Sequence, residues 1–254
     1  MQANLVTPRV QRWLQNGRPA RILHLFNEVC NLVNDQNDVI SLVSPQIGPG
    51  PFTLIVDGNF CAGLTVGQPI FIDNKRQTLS IGSLAIGFGK TAVWQPKPDW
   101  TRLQHAKTGK WPPPAELSPE ISAYLFQVIN GIAAGDMAAC QAGVYGLAGR
   151  GSGLTPTGDD VLLGVLYGLS VWRQRREWME MIAATAVPRT TTLSANFIRA
   201  AAAGEAVWQW HGLVNGRVDA ISQIHAIGHT SGADAWAGFW RAYMALRSNR
   251  GSNA

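Results

Sequence analysis

The hydrophobic pattern of this chain changes once, across a proline-rich stretch at residues 96–115. Before it, short runs of β-branched and aromatic residues, such as Phe52–Val56, alternate with turn formers such as Asp57-Gly58. After it, apolar residues recur at helical spacing, first over Ile121–Ile132. The pattern predicts an α+β fold. We expect an antiparallel β barrel or sandwich over residues 1–95, a connector over 96–115 and a mostly α-helical domain over 116–254.

Composition limits the partners that such a chain can have. Charged residues make up 15% of the chain, which falls well short of the roughly 25% of average soluble domains. There are also ten tryptophans. Because interface cores are poor in charge and rich in aromatic residues, we expect an oligomer with other protein subunits as partners. The net charge of +5 fits a small anionic substrate, and no recognised motif for nucleic-acid binding is present.

Cysteine usage and apolar runs indicate the compartment. The three cysteines are scattered without metal-binding or redox spacing, as in a reducing compartment. No signal peptide is evident, and the longest apolar run, Val161–Trp172, is too short to span a bilayer. We therefore expect a cytoplasmic protein with no membrane contact. The basic residues Arg173, Arg175 and Arg176 are expected to form the last turn of the helix before them, where they would complement its dipole.

The stretch Gly149–Gly164, which reads GRGSGLTPTGDDVLLG, is the richest in candidate chemistry. Alternating glycines allow positive φ angles and close approach of the backbone to a ligand. Thr157 lies three residues before Asp160, which is the spacing of a helix capping box. If Asp160 is the cap, Asp159 is left for a ligand. Either the motif is only a structural cap, or it binds a group with both donors and acceptors, such as a carbamoyl group, or a cation.

A short internal repeat, the echo, accompanies this motif. Thr157–Asp160 and Ser231–Asp234 both read hydroxyl–Gly–x–Asp, and each is followed by a glycine four residues after the aspartate. Either a capping box is used twice, or two helix starts meet at one pocket. A third hydroxyl cluster, Thr190–Ser194, is either a cap followed by a turn or a set of donors for an oxyanion.

The string GxGxGLTPxGDDxLxG, with TxxxS at Thr190–Ser194 and SGxD at Ser231–Asp234, resembles a family catalogued as a domain of unknown function. One enterobacterial member belongs with the oxamate carbamoyltransferase of anaerobic allantoin degradation. Val161 and Trp236 depart from the residues expected at those positions. The resemblance implies a subunit of an enzyme of purine catabolism, which converts oxalurate and phosphate to oxamate and carbamoyl phosphate, or the reverse.

The candidate site residues follow from the motif, the echo and the hydroxyl cluster. The predicted catalytic residues are Asp159 and Asp160, which would accept hydrogen bonds from the carbamoyl NH₂ group, and His229, which would carry a proton. The predicted substrate-binding residues are Gly151, Ser152, Gly153, Thr155, Thr157, Gly158, Thr191, Ser194, Ser231, Gly232 and Asp234.

Two other function classes remain open from the sequence. One is a non-catalytic subunit that binds a ligand or serves assembly. The other is a Mg²⁺-dependent amidohydrolase with Asp159, Asp160 and Asp234 as oxygen ligands, as hard cations prefer. No cofactor is expected in the transferase, and Mg²⁺ enters only with the amidohydrolase.

Overall fold

The computed structural model describes residues 1–172 and 176–251. The chain divides into two compact units, Met1–Pro96 and Lys97–Ala254. The first is built on strands and the second on helices, so the predicted α+β class is confirmed. Much of the stretch that was predicted as a connector packs within the second unit, where Trp100 and Leu103 are buried in the helical core.

The first unit is a single nine-stranded sheet with one helix, α1 (Pro8–Asn16). Its strands are β1 (Ala3–Val6), β2 (Ala20–Leu25), β3 (Val29–Asn34), β4 (Val39–Val43), β5 (Thr53–Val56), β6 (Pro69–Asp73), β7 (Thr78–Ile81), β8 (Leu84–Gly87) and β9 (Ala92–Val93). They lie in the order β8-β7-β6-β2-β3-β4-β5-β1-β9.

The sheet curls on itself like a half-barrel. Gln2, just before β1, pairs with Gly87 at the end of β8, so the β8 edge meets the far side of the sheet. The pairs β4–β5 and β1–β9 are parallel, which differs from the antiparallel expectation. The reason is local for β4–β5: residues 44–52 return the chain across the sheet instead of forming a hairpin, so β5 runs in the direction of β4.

The second unit contains eight further helices and three short 3-10 helices in its described part. The helices are α2 (Pro119–Ala134), α3 (Met137–Leu147), α4 (Thr157–Ser170), α5 (Arg176–Ala186), α6 (Thr192–Ala202), α7 (Trp208–Val214), α8 (Ala220–His225) and α9 (Ser231–Gly251), and the 3-10 helices are Trp100–His105, Thr108–Lys110 and Val187–Arg189. None of the helices in the described ranges is both long and apolar enough to cross a membrane.

Two predictions about chain segments need correction. Arg176 begins α5, so it is not the last turn of α4, which ends at Ser170; Arg173 and Arg175 lie outside the described residues. The sequence of residues 248–254 predicts disorder, but helix α9 continues through Ser248 to Gly251, so that prediction is wrong for residues 248–251. Residues 252–254 lie outside the described ranges.

Helices α4 and α9 pack against each other more extensively than any other pair of elements. Glycines make this possible, because an added Cβ at Gly164 would lie 1.9 Å from the carbonyl oxygen of Ala235. In the reciprocal contact, a Cβ at Gly238 would lie 2.0 Å from the carbonyl oxygen of Val161. The two helices run parallel, so both N-termini, with their partial positive charge, lie at the same end.

Candidate functional site

Reciprocal hydrogen bonds join the first turns of α4 and α9. The Thr157 hydroxyl on α4 donates to Asp234 on α9, and the Ser231 hydroxyl on α9 donates to Asp160 on α4. The Thr155 hydroxyl also interacts with Asp160, and its oxygen lies 2.9 Å from that of Ser231. The predicted convergence of the two helix starts is therefore confirmed.

The predicted capping box at Thr157 and Asp160 is wrong. Helix α4 begins at Thr157 itself, its N-cap is Pro156, and that cap makes no side-chain hydrogen bond. The spacing assigned the Thr157 hydroxyl to its own helix, but this hydroxyl donates to the carboxylate of Asp234 on α9. Asp160 consequently has no capping role.

The echo in the sequence corresponds to a repeated structural unit. The N–H of Gly158 donates to the carbonyl of Arg150 at 2.8 Å, and the N–H of Gly232 donates to that of Ile227 at 3.0 Å. In both copies a Cβ on that glycine would collide with a carbonyl of the preceding helix, at 2.0 Å for Gly158 and 1.8 Å for Gly232. The segment from Arg150 to Gly158 is longer than the segment from Ile227 to Gly232 by as many residues as Gly151–Gly153 contains. The glycine loop is therefore an addition to an arrangement that both copies share.

Asp159 holds this loop in place. It is buried, and one carboxylate oxygen accepts the N–H of Gly149 at 2.7 Å. The other oxygen accepts the Thr190 hydroxyl, and the Ser194 hydroxyl also bonds to the carboxylate. Burial raises the pKa of Asp159, and these three hydrogen bonds oppose the shift. Both oxygens are engaged within the protein, so Asp159 anchors the loop.

Asp160 and Asp234 differ from Asp159 because each keeps one unpartnered oxygen. Asp160 is only 5% exposed, yet among the described residues its Oδ2 has no hydrogen-bond partner, and neither does the buried Oδ2 of Asp234. Burial raises the pKa of Asp160 to about 7; the Ser231 hydrogen bond opposes the shift, and the charges of Asp234 and Asp159 add to it. Burial also raises the pKa of Asp234. A buried polar atom without a partner is costly and is a mark of a ligand or proton site.

The glycine loop adds backbone donors next to the start of α4. Gly149, Gly151 and Gly153 have φ angles of 72°, 120° and 91°, which favour glycine. Within the described ranges, the N–H groups of Gly151, Ser152 and Gly153 donate to no backbone carbonyl, and all three residues are exposed. Gly151 lies against the start of α4, since a Cβ there would be 2.7 Å from the Thr157 nitrogen.

The remaining predicted residues lie in two places. Thr191 caps α6 by accepting the Ser194 N–H at 3.1 Å, and its hydroxyl donates to the Leu154 carbonyl at 2.6 Å. The hydroxyls of Thr191 and Ser194 are thus engaged in holding the loop. His229 is exposed in the turn before α9, and no hydrogen bond or ion pair links it to another described residue. Its role as a proton carrier stays a prediction.

The structure also shows what the sequence reasoning missed. Gly149 and Thr190 were not proposed as site residues, yet both bind Asp159. The sequence did not indicate that the two residues meet at one carboxylate, because the contact joins the end of α3 to the start of α6. As for metals, no group of three His, Cys, Asp or Glu side chains in the described part of the chain is arranged to hold an ion. The Mg²⁺ requirement of the amidohydrolase alternative stays a prediction.

The fold and this site define a two-unit α+β protein with a cluster of polar side chains at paired helix N-termini. Two family models match it: "AllH family N-terminal domain" over residues 2–93 and "Oxamate carbamoyltransferase subunit AllH" over residues 147–243. The chain belongs to the AllH family, and the resemblance read from the sequence is confirmed. The second match spans the glycine loop and both copies of the echo. No curated protein and no solved structure matches the chain.

Proposed function

We propose that this chain is the carbamoyl-binding subunit of a cytoplasmic oxamate carbamoyltransferase in allantoin degradation. The enzyme would interconvert oxalurate plus phosphate with oxamate plus carbamoyl phosphate, together with other protein subunits. The family description supports a transferase subunit. The free, buried cysteines support a reducing compartment. The observation that carries the proposal is the pair of buried carboxylates, Asp160 and Asp234, each with an unpartnered oxygen at the start of a helix.

The chemistry of a carbamoyl group fits this pair. Its NH₂ offers two donors, and Asp160 Oδ2 and Asp234 Oδ2 are two acceptors without other partners. Its carbonyl oxygen needs donors, which the free N–H groups of Gly151, Ser152 and Gly153 would supply. A site for a bare anion would gain nothing from two carboxylates. A site for an amide needs acceptors and donors together.

The reaction can be followed atom by atom in the phosphorolytic direction. An oxygen of phosphate attacks the carbamoyl carbon of oxalurate, and the resulting oxyanion would be held by the loop N–H groups. The bond from that carbon to the oxamate nitrogen then breaks, and the nitrogen takes up the proton that the attacking phosphate gives up, passed on by a carboxyl group. Asp160 suits this proton transfer, because burial raises its pKa to about 7 and it exchanges its proton near neutral pH.

The test uses the complex assembled with its companion subunits. We expect Asp160→Asn and Asp234→Asn to lower the rate of carbamoyl phosphate formation from oxalurate by roughly 100-fold or more, as for loss of a general acid–base group. Asp219→Asn, which changes an exposed carboxylate paired with Arg217, is the matched control. Size-exclusion chromatography verifies that each variant still assembles. Full activity of both variants would refute the proposal and favour a non-catalytic assembly subunit.

A further inference from the structure

A cleft of about 400 Å³ lies next to the glycine loop, on its α3 side. Side chains from three separate elements line it: Tyr124 from α2, Tyr145 from α3 and Arg189 from the 3-10 helix before α6. Gly149 and Arg150 complete the wall nearest the loop. None of the described residues that line this cleft is acidic.

Both arginines of the cleft lie over tyrosine rings. The guanidinium carbon of Arg189 is 3.3 Å from the centroid of the Tyr145 ring, and that of Arg150 is 5.1 Å from the centroid of Tyr124. Stacking on an aromatic face fixes the plane of a guanidinium and leaves its N–H edge available. Tyr145 is 57% exposed, so its ring forms an open platform and not part of the core.

The two arginines differ in the hydrogen-bond and ion-pair partners that they already have. Arg150 donates from Nε to the Gly146 carbonyl at 2.7 Å and pairs with Glu120. Arg189 forms no ion pair with any carboxylate in the described ranges. The cleft thus holds two positive charges and only one of them is neutralised.

Arg189 is also held against the loop by its backbone. A Cβ at Gly149 would lie 2.3 Å from the Arg189 carbonyl oxygen, so the two chain segments are in close contact. Asp159 binds the N–H of Gly149 and the hydroxyl of Thr190, the residue after Arg189. One buried carboxylate therefore sets the position of the arginine relative to the glycine loop.

We propose that this cleft is a binding site for a small oxyanion, a phosphate or an organic carboxylate, with Arg189 as the principal donor and Arg150 as the second. A planar guanidinium with a free N–H edge binds such groups in a bidentate manner. Tyr145 acts as a positioning residue for Arg189. The site does not include Asp160 or Asp234, so it does not depend on the carbamoyl chemistry proposed above.

The experiment is calorimetric titration of the full chain at constant ionic strength, with inorganic phosphate in one arm and oxamate in the other. The anion that binds with the higher affinity is the one that we assign to the site. We expect Arg189→Gln to weaken binding of that anion roughly tenfold or more, as for loss of a charge-assisted hydrogen bond. Arg217→Gln removes the same charge from an exposed site outside the cleft and should leave the affinity unchanged.

Two variants of Tyr145 test whether its ring positions Arg189. Tyr145→Phe keeps the ring and should bind like the wild type, whereas Tyr145→Ala should weaken binding. The titration measures anion affinity and not turnover, so a failure of the carbamoyl proposal would not affect this result. Absence of binding of both anions to the wild type, or equal affinities for the Arg189→Gln and Arg217→Gln variants, would overturn the proposal.

Discussion

Replacing Asp160 with asparagine is expected to stabilise the helical unit above neutral pH. Burial raises the pKa of this carboxyl from its ordinary 3.8 to about 7. Between these values the folded protein keeps a proton that the unfolded chain releases. The free energy of unfolding therefore falls as the pH rises through this window, because the native state binds more protons than the unfolded state.

The size of the effect follows from the gap of about 3 pH units. At 1.36 kcal/mol per pH unit, the free energy of unfolding of the wild type falls by roughly 4 kcal/mol between pH 4 and pH 7. Asparagine has the shape of the protonated acid and carries no charge, so it avoids this cost. Its Oδ1 can still accept from Ser231 and Thr155. The variant should be more stable than the wild type at pH 8 by up to roughly that amount.

The assay is urea unfolding followed by tryptophan fluorescence between pH 5 and pH 8. Eight of the ten tryptophans lie after Pro96, so the signal reports mainly on the helical unit. The control is Asp219→Asn. Arg217 lowers the pKa of Asp219, so its contribution is lost only as the pH falls and is constant in this range. A wild type with no pH slope, or an Asp160→Asn variant with an unchanged slope, would refute the reasoning. Asp159 and Asp234 leave a residual slope in the variant.

Three other perturbations test the framework around the site. Gly164→Ala should lower the free energy of unfolding in urea by about 2 kcal/mol or more, because the new Cβ would lie 1.9 Å from the Ala235 carbonyl oxygen. The control is Gly109→Ala, which has open space around it and should change the free energy of unfolding little. Asp159→Asn should destabilise the protein by roughly 1–3 kcal/mol and speed protease cleavage in the glycine loop, because Gly149 and Thr190 lose their shared acceptor; an unchanged melting temperature and cleavage rate would contradict the anchoring role. Chelator treatment should leave turnover of the complex unchanged, and a loss that Mg²⁺ restores would return the amidohydrolase to consideration.

The sequence predicted most of the architecture because the relevant signals are local. The change in hydrophobic period at the proline-rich stretch separated the two units. Ser118 followed by Pro119 predicts a helix start, and Ser118 accepts the Ile121 N–H and caps α2. By contrast, α5 had no prediction, and the short strands β1 and β9 carry too few residues for a period to be read.

The roles of Asp159 and Asp160 show where local reasoning fails. A hydroxyl three residues before an aspartate has the same spacing whether it caps its own helix or bonds to a neighbouring one. Only the echo at Ser231–Asp234 indicated the second arrangement. The capping-box interpretation left Asp159 for a ligand and made Asp160 structural, whereas in the structure the oxygen without a partner belongs to Asp160. The cleft around Arg189 and Tyr145 is assembled from three elements, so no single stretch predicts it.

The most direct test of the central claim is a crystal structure of the chain, alone or in its complex, with oxalurate bound. We predict that the carbamoyl nitrogen lies within hydrogen-bonding distance, about 3 Å, of Oδ2 of Asp160 or Asp234, with the carbonyl oxygen facing the N–H groups of Gly151–Gly153. Oxalurate bound elsewhere, with both carboxylate oxygens still lacking a partner, would contradict the account.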